Sequence, residues 1–422
     1  MMVAVLGRGA RTATLATGFA LAFATSAAAA PGDIFVADQS AGPTMSGAIF
    51  RVDATTGTRT PLVIGPPLVN PADMVFDRDG SLVVADDGAA AIFRVDPATG
   101  AIAEVASGGQ LSDPWGVAFG PAGRLFVADI GFESPAAVIF RINLDTGAKM
   151  QHASGPPLID PAGIAREDEH SFLVADINGF GAGDNGLVHR VDADNGAVTT
   201  IASGTPLVDP WGIAIGPDGR VLVTDINANG GGGGIFEINP ATGAIAPVAL
   251  GPPFTEPVDL ALQPDGSALV ADYDAGGGAG ALLRTDLATG TTTTVAEGAP
   301  FVDPSSVLVE PPVCRGQTAT LVGSDGADVL TGTRQIDVIA GGAGRDRITG
   351  ANSNDVICGE GGKDFVNGGM GSDELDGGPG RDRLNGSTGA DDLIGGAGKD
   401  RCNGKSSHHD TASGCEKTIK VP

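Results

Sequence analysis

The chain has 422 residues, among them 67 glycines and 28 prolines, only 5% aromatic residues, and a formal net charge of −26. That length is enough for two domains with a sizeable core, and the mix suits short strands joined by tight turns rather than helices. So negative a charge argues against nucleic acid, whose phosphates would be repelled, and favours cation-attracting surfaces.

In chain order, residues 1–30 read as a leader. Arg8 and Arg11 form a basic start, Thr12 to Ala24 is a short apolar core, and SAAAA follows just before Pro31. This is the layout of a secretory signal peptide, with cleavage expected near Ala28 or Ala29. The apolar run falls short of the roughly 20 residues that cross a bilayer. The mature protein is therefore expected to be secreted, either free or attached at the cell surface, with no membrane span.

Residues 32–310 carry a long repeat. The phrase VAD, or a close variant, ends at Asp38, Asp86, Asp129, Asp176, Asp225 and Asp272, with gaps of 48, 43, 47, 49 and 47 residues. Each unit has four short apolar runs, which reads as four strands. One follows a proline, as WGVAF does at 115–119 and VDLAL at 258–262. The next holds VAD, the third is IFRVD or a relative, and a Thr-Gly or Asn-Gly turn leads into the fourth. Those turns are hairpin chemistry. No such unit can bury a face alone, and radial stacking of four-stranded sheets gives a β-propeller. The chain enters on a second strand, GDIFVAD, and leaves on an orphan first strand, Pro304 to Val309. The two orphans are expected to complete one blade and close a ring of six.

The pattern Pro-x-Gly-Ile-Ala … Asp-Gly-x-Leu-x-Val-Ala-Asp, carried best by PWGIAIGPDGRVLVTD at 210–225, resembles the NHL-repeat propellers. It is similar, more loosely, to regucalcin/gluconolactonase-type and strictosidine-synthase-like propellers. The resemblance implies a fold and no single activity, since that architecture hosts binders, hydrolases and lyases alike.

Two acidic positions recur in the body. One ends each VAD; the other precedes a proline, at Asp113, Asp160, Asp209, Glu256 and Asp303, with Asn70 in the first repeat. Both are expected on one face, where they either hold a divalent cation or accept backbone N–H groups in turns. The second role suits residues repeated in every blade. Three residues break the symmetry. His189 replaces a recurrent Phe and is expected to be a satisfied core residue. Trp115 and Trp211 are expected to pack between blades. No Gly-x-Ser-x-Gly, His-Glu-x-x-His or phosphate-binding loop occurs. A binding or interaction scaffold and a metal-dependent, lactonase-like hydrolase or lyase both stay open, and no catalytic residue is assigned.

The tail keeps a nine-residue frame. From Gly341 to Asp400 every unit opens with glycine and carries aspartate at its sixth position: Asp346, Asp355, Asp364, Asp373, Asp382, Asp391 and Asp400. A weaker prefix extends through Asp337 and Asp328. The frame resembles the RTX, or haemolysin-type, repeat Gly-Gly-x-Gly-x-Asp-x-apolar-x, which implies a parallel β-roll with two repeats per turn and calcium (Ca2+) as the cofactor. Carboxylate oxygen suits this hard cation, which takes six to eight oxygen ligands. The seven aspartates are the candidate metal ligands, paired two repeats apart as 346/364, 364/382, 382/400, 355/373 and 373/391. The part of the prefix around Arg334–Asp337 lacks the fourth-position glycine and is expected not to bind. The eighth positions of the prefix, and those of the repeats, are apolar from Leu330 to Leu393, then Cys402.

Residues 314–422 hold 16 acids and 12 bases, a net of −4; the preceding chain holds the other 35 acids and 13 bases, a net of −22. Arg345, Arg347, Arg381, Arg383, Lys399 and Arg401 flank ligand aspartates. They are expected to make surface salt bridges and to weaken calcium binding towards the ~10⁻⁴–10⁻³ M of extracellular modules. Cys314, Cys358, Cys402 and Cys415 allow three pairings. Cys314–Cys358 with Cys402–Cys415 is the expected one, stapling both ends of the ladder; zinc is disfavoured because no Cys-x-x-Cys occurs. The sequence thus reads as all-β: leader 1–30, a six-bladed β-propeller at 31–312, and a calcium-binding β-roll at 313–422.

Overall fold

The computed structural model describes residues 32–419 apart from 43, 121–122, 132–136, 178–184, 275–278 and 405–408. The expected leader, with Ala28 and Ala29, lies outside the described residues.

Six four-stranded antiparallel sheets form the body. The second blade shows the pattern: an inner strand Pro71–Phe76, then Leu82–Asp86, Ala91–Val95 and an outer strand Ile102–Ser107. The first blade takes its inner strand, Pro304–Val309, from the far end of the body, and pairs it antiparallel with Ile34–Asp38. The ring of six closes as the two orphan strands require. A four-residue helical turn, Ala228–Gly231, is the sole helix among the described residues.

The core lies between blades rather than within them. Phe35, Ala37 and Ile49 of blade one pack against Leu68, Met74, Leu82, Val84 and Phe93 of blade two, all almost fully buried. Every blade presents alternate residues to both neighbours, so middle strands such as Leu82–Asp86 are buried end to end. The Thr-Gly turns explain how closely blades approach. Gly147 has φ +66°, and a Cβ there would fall 2.4 Å from the Val105 carbonyl oxygen of the preceding blade. The same clash would arise at Gly57, Gly100, Gly196, Gly243 and Gly290, at 2.0–2.4 Å. These glycines serve both the turn and the blade-to-blade contact.

The VAD aspartates complete the scaffold. Each is almost fully buried and accepts two backbone N–H groups of the segment that leads into an inner strand, at 2.7–3.3 Å. For Asp38 those donors are Val302 and Asp303, on the far side of the closure. The turn-acceptor role therefore accounts for this ring. His189 is fully buried, as expected of a core residue, with Nδ1 3.1 Å from the Thr200 hydroxyl; its Nε2 lies 3.4 Å from Asp176 but has no hydrogen-bond partner among the described residues, so the ring is only half satisfied.

The tail is a parallel solenoid. One six-stranded ladder includes Val338–Ala340, Val356–Cys358 and Glu374–Asp376; a second includes Arg347–Asn352, Phe365–Met370 and Arg383–Thr388. Partners in register lie 18 residues apart, as Ile348, Val366 and Leu384 do, so two nonapeptides make one turn. The eighth-position residues form a single buried column set from Leu330 to Cys402. Disulfides Cys314–Cys358 and Cys402–Cys415 bridge Cα atoms 5.7 and 6.0 Å apart and sit towards opposite ends of that core. At the near end Asp325 N–H donates to the Pro264 carbonyl of the propeller (2.8 Å).

Candidate metal centre

The frame positions the seven aspartates by a repeated device. The N–H of each donor aspartate bonds to Oδ1 of the aspartate 18 residues later, starting with Asp328 to Asp346 and ending with Asp382 to Asp400, at 2.8–3.0 Å. All five sequence-expected pairs are linked in this way. The seven side chains are at most 2% exposed. Their Oδ2 atoms are buried too, and none has a hydrogen-bond partner among the described residues.

Leaving a buried acceptor unsatisfied costs about 1–3 kcal/mol, and more for a charged group. Seven such oxygens cost at least roughly 7 kcal/mol, comparable to the 5–15 kcal/mol that stabilises a typical domain. The arrangement calls for a proton or a cation on each oxygen. Consistently, burial pushes the carboxyls of Asp346, Asp373 and Asp382 up to about 6 and that of Asp355 up to about 8, with neighbouring carboxylates adding to it.

The space beside Oδ2 exists because each repeat opens with glycine. A Cβ on Gly350, Gly368 or Gly386 would fall 2.4, 2.2 or 2.2 Å from Oδ2 of Asp355, Asp373 or Asp391. No group of three or more His, Cys, Asp or Glu side chains is placed to hold an ion among the described residues. A calcium ion here must therefore draw most of its oxygens from backbone carbonyls, which suits a glycine-rich turn. The donor set fits the ion.

The prefix differs for a visible reason. Oδ2 of Asp337 accepts the Thr333 hydroxyl and that of Asp328 the Ser324 hydroxyl, at 2.9 and 2.8 Å. The second position of each prefix repeat thus fills the oxygen that stays open downstream. Beyond Asp400 the device continues where the sequence frame breaks. Asp391 N–H donates to Asp410 Oδ1 (3.0 Å) and Asp400 N–H to a Glu416 carboxylate oxygen. Sequence reasoning missed both acceptors, because their spacings are 19 and 16 residues.

In the propeller the pre-proline acids do lie at the same end as the VAD aspartates, since Pro71 pairs with Asp86 and Pro114 with Asp129. The residue after each VAD gives this mouth two halves. Ile130, Ile177 and Ile226 join Trp115, Trp211 and Ala162 in an apolar cluster, with the two indoles 4.7 Å apart. Opposite them Tyr273 donates to Gln39 (3.1 Å), and Asp87 is pushed up to about 7 by burial, Asp86 and Asp113. The tryptophans pack on each other across the intervening blade.

One asymmetric set escaped the sequence reading. Two residues past the proline of each inner strand stand Asp73, Gly116, Gly163, Gly212, Asp259 and Ser306. The Ser306 hydroxyl donates to Asp73 Oδ1 (3.0 Å), while Asp73 and Asp259 accept the N–H groups of Val117 and Val307 in the next blades (2.8 and 2.9 Å). Burial pushes Asp73 up to about 6 and Asp259 up to about 8, the latter helped by Asp73. The signal was the loss of glycine at that position in three adjacent blades.

A family model described as the RTX calcium-binding nonapeptide repeat matches the chain in four copies, at 322–357, 331–366, 341–375 and 376–406. No curated protein matches the chain in sequence. Among solved structures, a chain of a nidogen/laminin complex is similar at a TM-score of 0.52 and 17% identity, covering 65% of this chain and 97% of its own length. A selenomethionine-substituted virginiamycin B lyase from Staphylococcus aureus is similar at 0.44 and 19%, covering 63% and 84%. The first likeness concerns the propeller fold alone.

Proposed function

We propose that the chain, whose C-terminal quarter consists of RTX calcium-binding repeats behind a six-bladed propeller, is an exported protein whose tail folds on calcium outside the cell. Its segments are a leader at 1–30, the propeller at 31–312 and the roll at 313–422. Asp346, Asp355, Asp364, Asp373, Asp382, Asp391 and Asp400 are the ligand side chains, paired two repeats apart. The observation that carries this reading is the row of seven buried Oδ2 atoms lacking partners. Bound calcium supplies positive charge to those oxygens, and the binding free energy becomes folding free energy of the tail. Export fits both the two disulfides and extracellular calcium. The propeller serves as an interaction scaffold for a protein or glycan, a role supported by its divided mouth, apolar on one side and polar on the other.

Scanning calorimetry of the full-length protein tests the reading. One of two unfolding transitions should move up in millimolar calcium and collapse in chelator, while the propeller transition stays put. A melting profile indifferent to calcium sinks the proposal. Mass analysis of protein recovered from the medium tests export, with loss of the first 28 to 30 residues expected.

A further inference from the structure

The cations beside the ligand aspartates do not behave as the salt-bridge reading expects. Among the described residues none of Arg345, Lys363, Arg381, Arg383, Lys399 and Arg401 makes an ion pair, although eleven such contacts occur elsewhere. Their distribution follows repeat parity. With two repeats per turn, alternate repeats fall on opposite edges of the roll. On one edge the fifth positions are Arg345, Lys363, Arg381 and Lys399, and the seventh are Arg347, Phe365, Arg383 and Arg401. On the other edge the same positions hold Asn354, Ser372 and Ala390, then Val356, Glu374 and Asp392.

The basic edge forms a groove of about 370 Å³ lined by these side chains, with Asp346, Asp364 and Asp382 beneath them. Its rungs are in strict parallel register, Arg347 to Phe365 to Arg383 to Arg401, hence about 4.8 Å apart. Seven cations thus lie in two straight rows on an otherwise acidic molecule. Calcium on the aspartates beneath would leave them still less compensated.

We propose that this edge of the roll docks a linear acidic polysaccharide of the polyuronate class, laid along the solenoid axis with its carboxylates on successive rungs. The proposal rests on the calcium-folded tail. Three observations select this occupant. An extended pyranose chain advances by about one rung per sugar, and a polyuronate carries one carboxylate on each. A nucleic acid strand places its phosphates about 3.4 Å apart along a duplex, out of step with the rungs, and the propeller's net charge of −24 (35 acids and 11 bases, the leader's Arg8 and Arg11 left out) repels it. Phe365, partly buried under the Arg347 guanidinium (4.8 Å to the ring centroid), puts one apolar rung among the cations, which suits a sugar face.

The test is titration calorimetry of the full-length protein in millimolar calcium with a galacturonate oligomer too short to gel with that ion. Binding is expected to weaken at least about tenfold in Arg381→Glu/Arg383→Glu, and likewise when salt screens the groove. It should be unchanged in Arg141→Glu/Lys149→Glu, the same charge change on a propeller blade, and absent for a neutral galactose oligomer. If the reversed variant loses its calcium-dependent melting transition, Arg381→Gln/Arg383→Gln replaces it, with a smaller loss expected. No binding by protein that still melts in a calcium-dependent way overturns this proposal and leaves the calcium reading standing. Equal affinity for a single-stranded DNA of matched charge overturns it too. So does a self-associated species that the reversed variant dissolves, which would give the stripe to the acidic propeller of a second copy.

Discussion

Each candidate ligand aspartate divides its work between two oxygens. Oδ1 holds the backbone of the neighbouring turn, and Oδ2 is left for a cation. Asp373→Asn keeps the shape and the acceptor but removes charge, so calcium affinity should fall at least about tenfold, ~1.4 kcal/mol. Asp337→Asn, whose second oxygen already accepts Thr333, should leave affinity unchanged within twofold or so on the same energy scale. Equal losses in the two variants, measured by calcium titration, would refute the division. In the propeller, Asp259 has a folded-state value raised to about 8 by burial and Asp73. A raised carboxyl binds its proton more tightly in the folded state than in the unfolded one. Its contribution is therefore full below about pH 4 and is lost as pH rises towards about 8, by roughly 1 kcal/mol per pH unit. Asp259→Asn should consequently raise the propeller melting temperature at pH 8 relative to wild type and do much less at pH 4. A stabilisation independent of pH would contradict this origin.

At the scale of elements, the blade is held by its edges and turns. Gly147→Ala places a methyl group against the Val105 carbonyl at positive φ, and a cost of about 1–3 kcal/mol is expected, or several degrees in the propeller transition. Exposed Gly219, with φ +79° and open space around it, isolates the backbone part of that cost. Gly219→Ala should therefore hurt less. Thermal melts that rank the two the other way would show that blade contact is not what fixes the turn glycine. Parity is the corresponding rule in the roll. An insertion of nine residues would exchange the two edges downstream, whereas eighteen would preserve them.

For the whole molecule, the scaffold and the roll differ in what makes them stable. The propeller closes through one antiparallel strand pair and the Asp38 contacts to Val302 and Asp303, with six interblade cores behind it. The roll has two thin columns of buried eighth-position residues and, among the described residues, seven candidate-ligand carboxylate oxygens without a hydrogen-bond partner. Cys402–Cys415 closes a 13-residue separation at its far end, a loop that theory values at about 3 kcal/mol. The double replacement Cys402→Ala/Cys415→Ala should shift the calcium midpoint of tail folding to higher concentration and leave the propeller transition in place. If both transitions moved together, the two parts would be one cooperative unit.

Periodicity carried most of this architecture into the sequence. The roughly 47-residue spacing of VAD and the orphan strand at 304–309 determined six blades and their closure, because a four-stranded unit has no other way to bury its faces. The nine-residue frame determined the roll, its inward column and the seven candidate ligands, since glycine and aspartate at fixed positions repeat one geometry. What only the tertiary structure decided lies where chemistry depends on neighbours distant in the chain. It separated open Oδ2 atoms from those that Thr333 and Ser324 fill. It brought Asp410 and Glu416 onto the ladder across irregular spacings, and set Asp73, Ser306 and Asp259 together through ring closure. It also gathered cations 18 residues apart onto one edge. Repetition fixes where a backbone goes; which side chains then face one another is settled by the turn and the ring that the backbone makes.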